Sequence, residues 1–322
     1  PFDGLLTMAN KTEYLPASVK TKIYKTGQTR GADDDVIYQN RVGRNSTVII
    51  PYEEYEICAQ APSDNGQYEN GYIVLIRPED YFASTHHKGL ILGENLLVFY
   101  ETREQWIKYP PLKIWKAANS RRMPLGGEYV ARIPATTSEG QSKIVKGFCT
   151  SSMKGAGIRV YEYSNMQNIK DCKLQLEVLF WSCKDIEQII NDAENPDALR
   201  EYISELKNEA TQKGLYDRTK LERSRIIDAD GYTICPLCLQ HISAIGFCKK
   251  LQQAKGRDVP DLTVTEVSLF HIHEPRTGEF NHKPYNLGWG HHHCNVVVKD
   301  SGIEATLEWM RRVLIKNNIH TF

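Results

Sequence analysis

The chain has 322 residues, 41% of them hydrophobic and 25% charged, enough for two domains with real cores. No apolar run approaches the roughly 20 residues of a membrane helix. Pro1-Phe2-Asp3-Gly4 has neither the basic start nor the apolar stretch of a signal peptide, so a cytoplasmic protein is expected. Forty basic and forty acidic residues cancel, so any nucleic-acid binding must come from local patches.

Residues 1 to about 45 read as polar and turn-rich. Lys20, Lys22, Lys25, Arg30, Arg41 and Arg44 are interrupted by Asp33-Asp34-Asp35. The stretch suits either an arm that touches phosphates or, more commonly, a solvated surface. Strand signals follow at Thr47-Val48-Ile49-Ile50, Tyr72 to Ile76 and Leu96 to Tyr100. They continue at Glu128 to Ile133, Gly157 to Tyr163 and Lys173 to Trp181. In the last, Leu174, Leu176 and Val178 alternate with Gln175 and Glu177, the pattern of a half-buried strand. Glu101 to Lys108 suits a short helix stopped by Pro110-Pro111. Leu112 to Arg122 interleaves cations, amides and Trp115, as a base-reading segment or an amphipathic surface helix would.

One helix is expected from about Lys184 to Ala193. Asn195-Pro196 then caps and opens a second, with Leu199, Tyr202, Ile203 and Leu206 on one face and a stop at Gly214. The charged stretch Tyr216 to Arg225 reads as a connector. A last helix, Ile303 to Lys316, puts Ile303, Leu307, Met310 and Leu314 on one face, as a brace or dimer contact. The fold class is α+β: a mostly β domain with helices over residues 1–183, a helical connector over 184–228 and a separate module over 229–322. No internal repeat is evident.

That last module concentrates metal-binding residues. Seven of the ten histidines fall between His241 and His293. Cys235-x-x-Cys238 and His291-x-x-Cys294 have the matched spacing of two zinc knuckles, with Pro236 in one and Gly288 and Gly290 just before the other. One structural Zn2+ on these four side chains is expected. Cys248, His292 or His293 are alternatives for the fourth ligand. Cys58, Cys149, Cys172 and Cys183 are scattered, which fits a reducing compartment.

The order of Cys235-x-x-Cys238, a strand ending in His271-Ile272, Asn286-Leu287, the second knuckle and Asn295 resembles the HNH, or ββα-metal, nuclease family. The resemblance covers about 70 residues. It implies a zinc-stabilised nuclease fold over 229–322, with His271 as general base. Asn286 would tie the two strands together, and Asn295 would help to hold one catalytic divalent ion, Mg2+ or similar. Phe270 stands where the family often carries a further metal ligand. His273 or Glu274 is a candidate replacement, and a shifted register would make His273 the base and His271 the ligand. Arg276 and Lys283 are candidate phosphate contacts.

Such modules cut with little sequence preference, so residues 1–183 would supply target recognition, with Lys116, Arg121 and Arg122 as candidate DNA contacts. The whole resembles a type II restriction endonuclease. Asn281 to Gly290 with its histidine run is similar to the BstXI-type group, which recognises an interrupted palindrome. The resemblance implies double-stranded DNA as substrate, a homodimer and a cognate DNA methyltransferase as partner. Alternatives are a modification-dependent, homing or junction-resolving nuclease, or a non-catalytic zinc DNA-binding protein. A modification reader needs an aromatic cage, for which Trp106, Tyr109 and Trp115 are the candidates. No Asp followed by Glu-x-Lys sits in a strand context that would suit the other common nuclease core.

Overall fold

A helix stands inside the region that reads as a polar arm. In helix α1 (Ala17–Tyr24), Val19 and Ile23 lie one turn apart and are buried, as is Leu15 before it. Lys20 and Lys22 occupy intervening positions of this helix. The computed structural model describes residues 14–24, 48–60, 71–118, 127–133, 144–146, 158–160, 163–251, 265–299 and 301–319. Lys25, Arg30, Arg41, Arg44, Arg121, Arg122 and Cys149 lie outside the described residues. The chain divides into two compact units. One comprises Pro1–Thr26, Gln167–Glu274 and Asn281–Phe322, the other Gly27–Met166 and Pro275–Phe280.

In the second unit the branched, apolar runs pair mostly in parallel. The strands are β1 (Val48–Pro51), β2 (Tyr72–Ile76), β3 (Leu96–Tyr100), β4 (Tyr129–Ile133), β5 (Ile144–Lys146) and β6 (Ile158–Arg159). Their order is β5-β4-β3-β2-β1-β6, and only β5 runs antiparallel to its neighbour. Parallel neighbours need crossovers long enough to bring the chain back. Short helices lie in these crossovers: α2 (Tyr55–Gln60), α3 (Pro78–Ala83) and α4 (Arg103–Lys108). Val48, Ile50, Val74, Ile76, Leu96 and Val98 pack on one face of the sheet; Ile49, Ile73, Leu97 and Val130 pack on the other. A sheet covered on both sides has continuous apolar runs rather than alternation. The expectation of a mostly β domain is therefore corrected to a mixed one, a parallel sheet with helices. Thr102 and Gln105 form a reciprocal capping box at the start of α4, which ends before Pro110-Pro111.

The other unit is built around α5 (Met166–Phe180), which contradicts the strand expected at Lys173 to Trp181. From Cys172 to Cys183 no residue is exposed. A helix buried on every side shows no polar stripe, so its 3.6-residue period is hidden, and Leu174-Gln175-Leu176-Glu177-Val178 imitates a strand. The two polar residues are used. Gln175 donates to Leu215 O at 2.7 Å and accepts from Tyr285 N at 2.8 Å. Glu177 accepts from the Tyr202 hydroxyl.

Around α5 lie α6 (Ile186–Asn191), α7 (Pro196–Gln212) and α8 (Arg218–Arg223). Asn195 caps α7 by accepting from Ala198 N at 3.1 Å, Pro196 takes the first helical position, and Leu199, Ile203 and Leu206 are buried. The hairpin β7 (Val267–His271) and β8 (Leu287–His291) is followed directly by α9 (His292–Val298) and then α10 (Ile303–Lys316). The buried face of α10 is Ile303 and Thr306 with Met310 packed beside them; Leu307, expected there, is 40% exposed. Trp289 of β8, fully buried, donates its indole N–H to Leu176 O of α5 at 2.9 Å.

Truncating a fully buried α5 side chain tests this core. Leu179→Ala is expected to lower stability by about 2–5 kcal/mol in urea denaturation. A loss no larger than that of an exposed-site control would contradict the buried helix.

Candidate metal centre and active-site hairpin

Two local turns bring four ligand-type side chains to one point. Cys235 N donates to Gln240 O, and Leu239 N returns to Cys235 O at 2.9 Å, which closes a tight turn around Pro236 with Leu239 at φ +59°. Arg225 donates from Nε to Pro236 O at 2.7 Å and holds the turn from outside. On the other side, His291 ends β8 and is the N-cap of α9, and Cys294 lies in the first turn of that helix. The ligand atoms of Cys235, Cys238, His291 and Cys294 all lie within 4.8 Å of one another. Cys238 Sγ is 3.3 Å from His291 Nδ1.

The donor set suits zinc: three thiolates and one imidazole can close a tetrahedron. Burial, followed by the charges of Cys235 and Cys238, pushes the Cys294 thiol far above its ordinary range. Sulfurs this close do not ionise together without a cation among them. Cys248, an alternative ligand, is bonded to Ser18 instead. His293 is exposed and His292 half-buried.

The hairpin register pairs Phe270 with Gly288 and His271 with Leu287. Phe270 is fully buried, and its ring lies so close to Gly290 that a Cβ there would come within 2.5 Å of it. The position where a metal ligand was sought is thus a core position. Its neighbour His271, on the opposite side of the pleat, is half-exposed. His271 Nε2 lies 3.2 Å from Nδ1 of His282, a residue that is only 7% exposed. His282 was not singled out in the sequence. It comes from the loop between the strands, and no spacing rule predicts the pairing.

Asn286 is 3% exposed and fully engaged. Its Oδ1 accepts from His273 N at 2.8 Å; its Nδ2 donates to His273 O at 2.8 Å and to Asn281 O at 2.6 Å. The side chain therefore ties the two ends of the β7–β8 loop together. His273 lies beyond the end of β7 and is exposed. Glu274 packs its carboxylate against Gly302 at the start of α10, where a Cβ would collide with it. Asn295 sits half-buried in α9. Lys283 is exposed in the hairpin loop. Arg276 and Lys116 are exposed in the other unit, where Lys116 N donates to Glu128. Tyr109 and Trp115 both stack on Phe82, while Trp106 packs on Tyr100 and Tyr129, so the three do not converge on one cage.

Set against known protein families, the chain falls among the restriction endonucleases. It belongs to the BstXI restriction endonuclease family, whose model matches residues 21–292. A solved structure described as the crystal structure of a type II restriction endonuclease is similar at 16% identity, over 50% of this chain and 59% of that one. The TM-score is 0.28, too low to show a shared fold. No curated protein matches the chain. None of the described helices is long and apolar enough to cross a membrane.

Two outcomes are expected. Protein purified without chelator should carry one transition-metal ion per chain by elemental analysis, and Cys294→Ser should lose it and unfold at lower temperature. Asn286→Ala, which strips partners from His273 and Asn281, should cost roughly 1–3 kcal/mol in denaturant titration.

Proposed function

We propose that this chain is a type II restriction endonuclease that hydrolyses phosphodiester bonds of double-stranded DNA at a specific sequence. Membership of the BstXI restriction endonuclease family over residues 21–292 carries this reading. The hairpin and following helix, with a Cys3His cluster at their junction, support the finer reading of residues 229–322 as an HNH nuclease module. In that reading Zn2+ on Cys235, Cys238, His291 and Cys294 is structural and supplies rigidity to a small module. Residues 184–228 connect it to a recognition domain within 1–183. Lys116, Arg121, Arg122, Arg276 and Lys283 are the proposed DNA contacts.

His271 is the proposed general base. A neutral imidazole takes a proton from water near pH 7, and half-exposure at a strand end leaves it within reach of a phosphate. Only one proton can lie between His271 Nε2 and His282 Nδ1. With that proton on His271, the basic nitrogen of its ring is Nδ1, and buried His282 orients the ring. The loop tie made by Asn286 keeps this strand end in place. His273, exposed, and Asn295, half-exposed, are reachable donors for the catalytic ion. A bound Mg2+ or similar ion would offset charge on the phosphate.

One such site cuts one strand, so cutting both calls for two copies related by two-fold symmetry on a palindromic target. A cognate methyltransferase would protect host DNA, and both proteins would then act in the cytoplasm. The modification-dependent reading loses its cage to the stacking on Phe82.

The test is digestion of unmodified phage DNA with Mg2+, alongside EDTA and His271→Ala controls. Discrete fragments absent from both controls are expected, and the mapped ends give the site. Cutting by His271→Ala at the wild-type rate would rule out this base. His282→Asn, which keeps an acceptor in place of Nδ1, should retain most activity. His282→Leu should lose about 100-fold in kcat, the scale of general-base contributions. Equal rates for the two variants would remove His282 from the mechanism.

A further inference from the structure

Four of the exposed large apolar side chains of the sheet unit lie on or beside the segment from Ile107 to Trp115, on which Phe82 stacks; Ile57 and Ile91 lie elsewhere in that unit. Ile114 is 81% exposed, Ile107 78%, Leu112 47% and Phe82 39%. Leu112 and Ile114 belong to a four-residue turn closed by Trp115 N donating to Leu112 O at 2.9 Å, which puts Lys113 and Ile114 at its tip. Isolated exposed aliphatics are ordinary; Leu112 and Ile114 stand together on one turn, where both are open to a partner.

The turn is braced from below. Pro110-Pro111 stiffens its entry, and fully buried Tyr100 donates its hydroxyl to Tyr109 O at 2.7 Å. Phe82 stacks on Tyr109 with rings 10° apart and on Trp115 with rings 20° apart. Trp115 also meets the edge of Tyr81, which itself stacks on His87. The exit is held by Lys116 N on Glu128, and Gly127 packs so close to Lys116 O that no side chain fits there. The loop follows β3 and α4 and returns the chain to the start of β4, where Ala117 bridges Tyr129 in parallel.

The charge says what the surface meets. From Gln105 to Lys116 there are three lysines, Lys108, Lys113 and Lys116, and no acidic residue. All three are exposed, and among the described residues none of the three ammonium groups is in an ion pair, although the backbone N–H of Lys116 donates to Glu128. Leu and Ile side chains cannot hydrogen-bond to base edges. Flanked by cations that suit phosphates, they can enter a base step and unstack it.

We propose that Leu112 and Ile114 form an apolar wedge that inserts at a base step of duplex DNA, with Lys108, Lys113 and Lys116 on the neighbouring phosphates. This rests on the endonuclease reading and adds a DNA-deforming element to it. Bending at a step the protein does not read by hydrogen bonds would make recognition depend on how easily that step deforms.

The experiment uses the full chain, Ca2+ in place of Mg2+, and duplexes bearing the mapped cleavage site with 2-aminopurine at successive positions. A several-fold rise in fluorescence is expected at one step per half-site. It should vanish in a Leu112→Ser/Ile114→Ser protein, whose substituted side chains are exposed and should not disturb folding. That protein should bind the duplex more weakly with the same salt dependence, while Lys113→Gln should lower the salt slope. Cutting by wild-type protein without brightening at any position would overturn the wedge and leave the nuclease reading intact. Failure of wild-type protein to bind or cut DNA would overturn both. A dimer that becomes monomeric on Leu112→Ser/Ile114→Ser substitution, by sedimentation, would assign the patch to a second copy of the chain and overturn the wedge.

Discussion

One buried indole sets the depth of the β7–β8 hairpin. The N–H of Trp289 is shut away from water and must find an acceptor, which it does at Leu176 O of α5. That bond positions β8, and β8 positions both halves of the site. At its far end His291 enters the Cys3His cluster. At its near end Leu287 pairs with His271. Helix α5 makes the same kind of link twice more. Gln175 bonds both Leu215 and Tyr285, and Thr233 donates to Leu179 O at 2.6 Å just ahead of the first knuckle. A helix far from the cysteines in sequence thus holds the frame within which they meet.

The Cys3His cluster and the β7–β8 hairpin are built in different ways. The cluster lies where β8 passes into α9. The hairpin loop is held differently, by the three hydrogen bonds of the Asn286 side chain. Phe270 and Gly290 interlock between the strands, which explains why a metal ligand is missing at Phe270: ring packing claims the position. His271 and His282 face one another beside this strand end.

Legibility in the sequence followed the range of the interaction. The two knuckle pairs were legible because ligand spacing is a local rule. Asn195-Pro196 and Gly214 announced α7 for the same reason: caps act within one turn. The face of α10 was read wrongly because Thr306, which looks polar, is buried and Leu307 is not. Helix α5 was misread because complete burial erases the polar face by which a helix is recognised. The parallel sheet was missed because its crossover helices are about six residues long, too short for a period to emerge. The meeting of His271 with His282 depends on how the hairpin loop folds back, and nothing in the spacing encodes it.

On the proposed function DNA is cut at the β7–β8 hairpin rather than at the parallel sheet. A crystal structure of the full chain with its mapped duplex and Ca2+ would test it most directly. The account predicts the scissile phosphate within hydrogen-bond reach of His271, directly or through one water. A scissile phosphate held instead at the edge of the parallel sheet, away from His271, would contradict it.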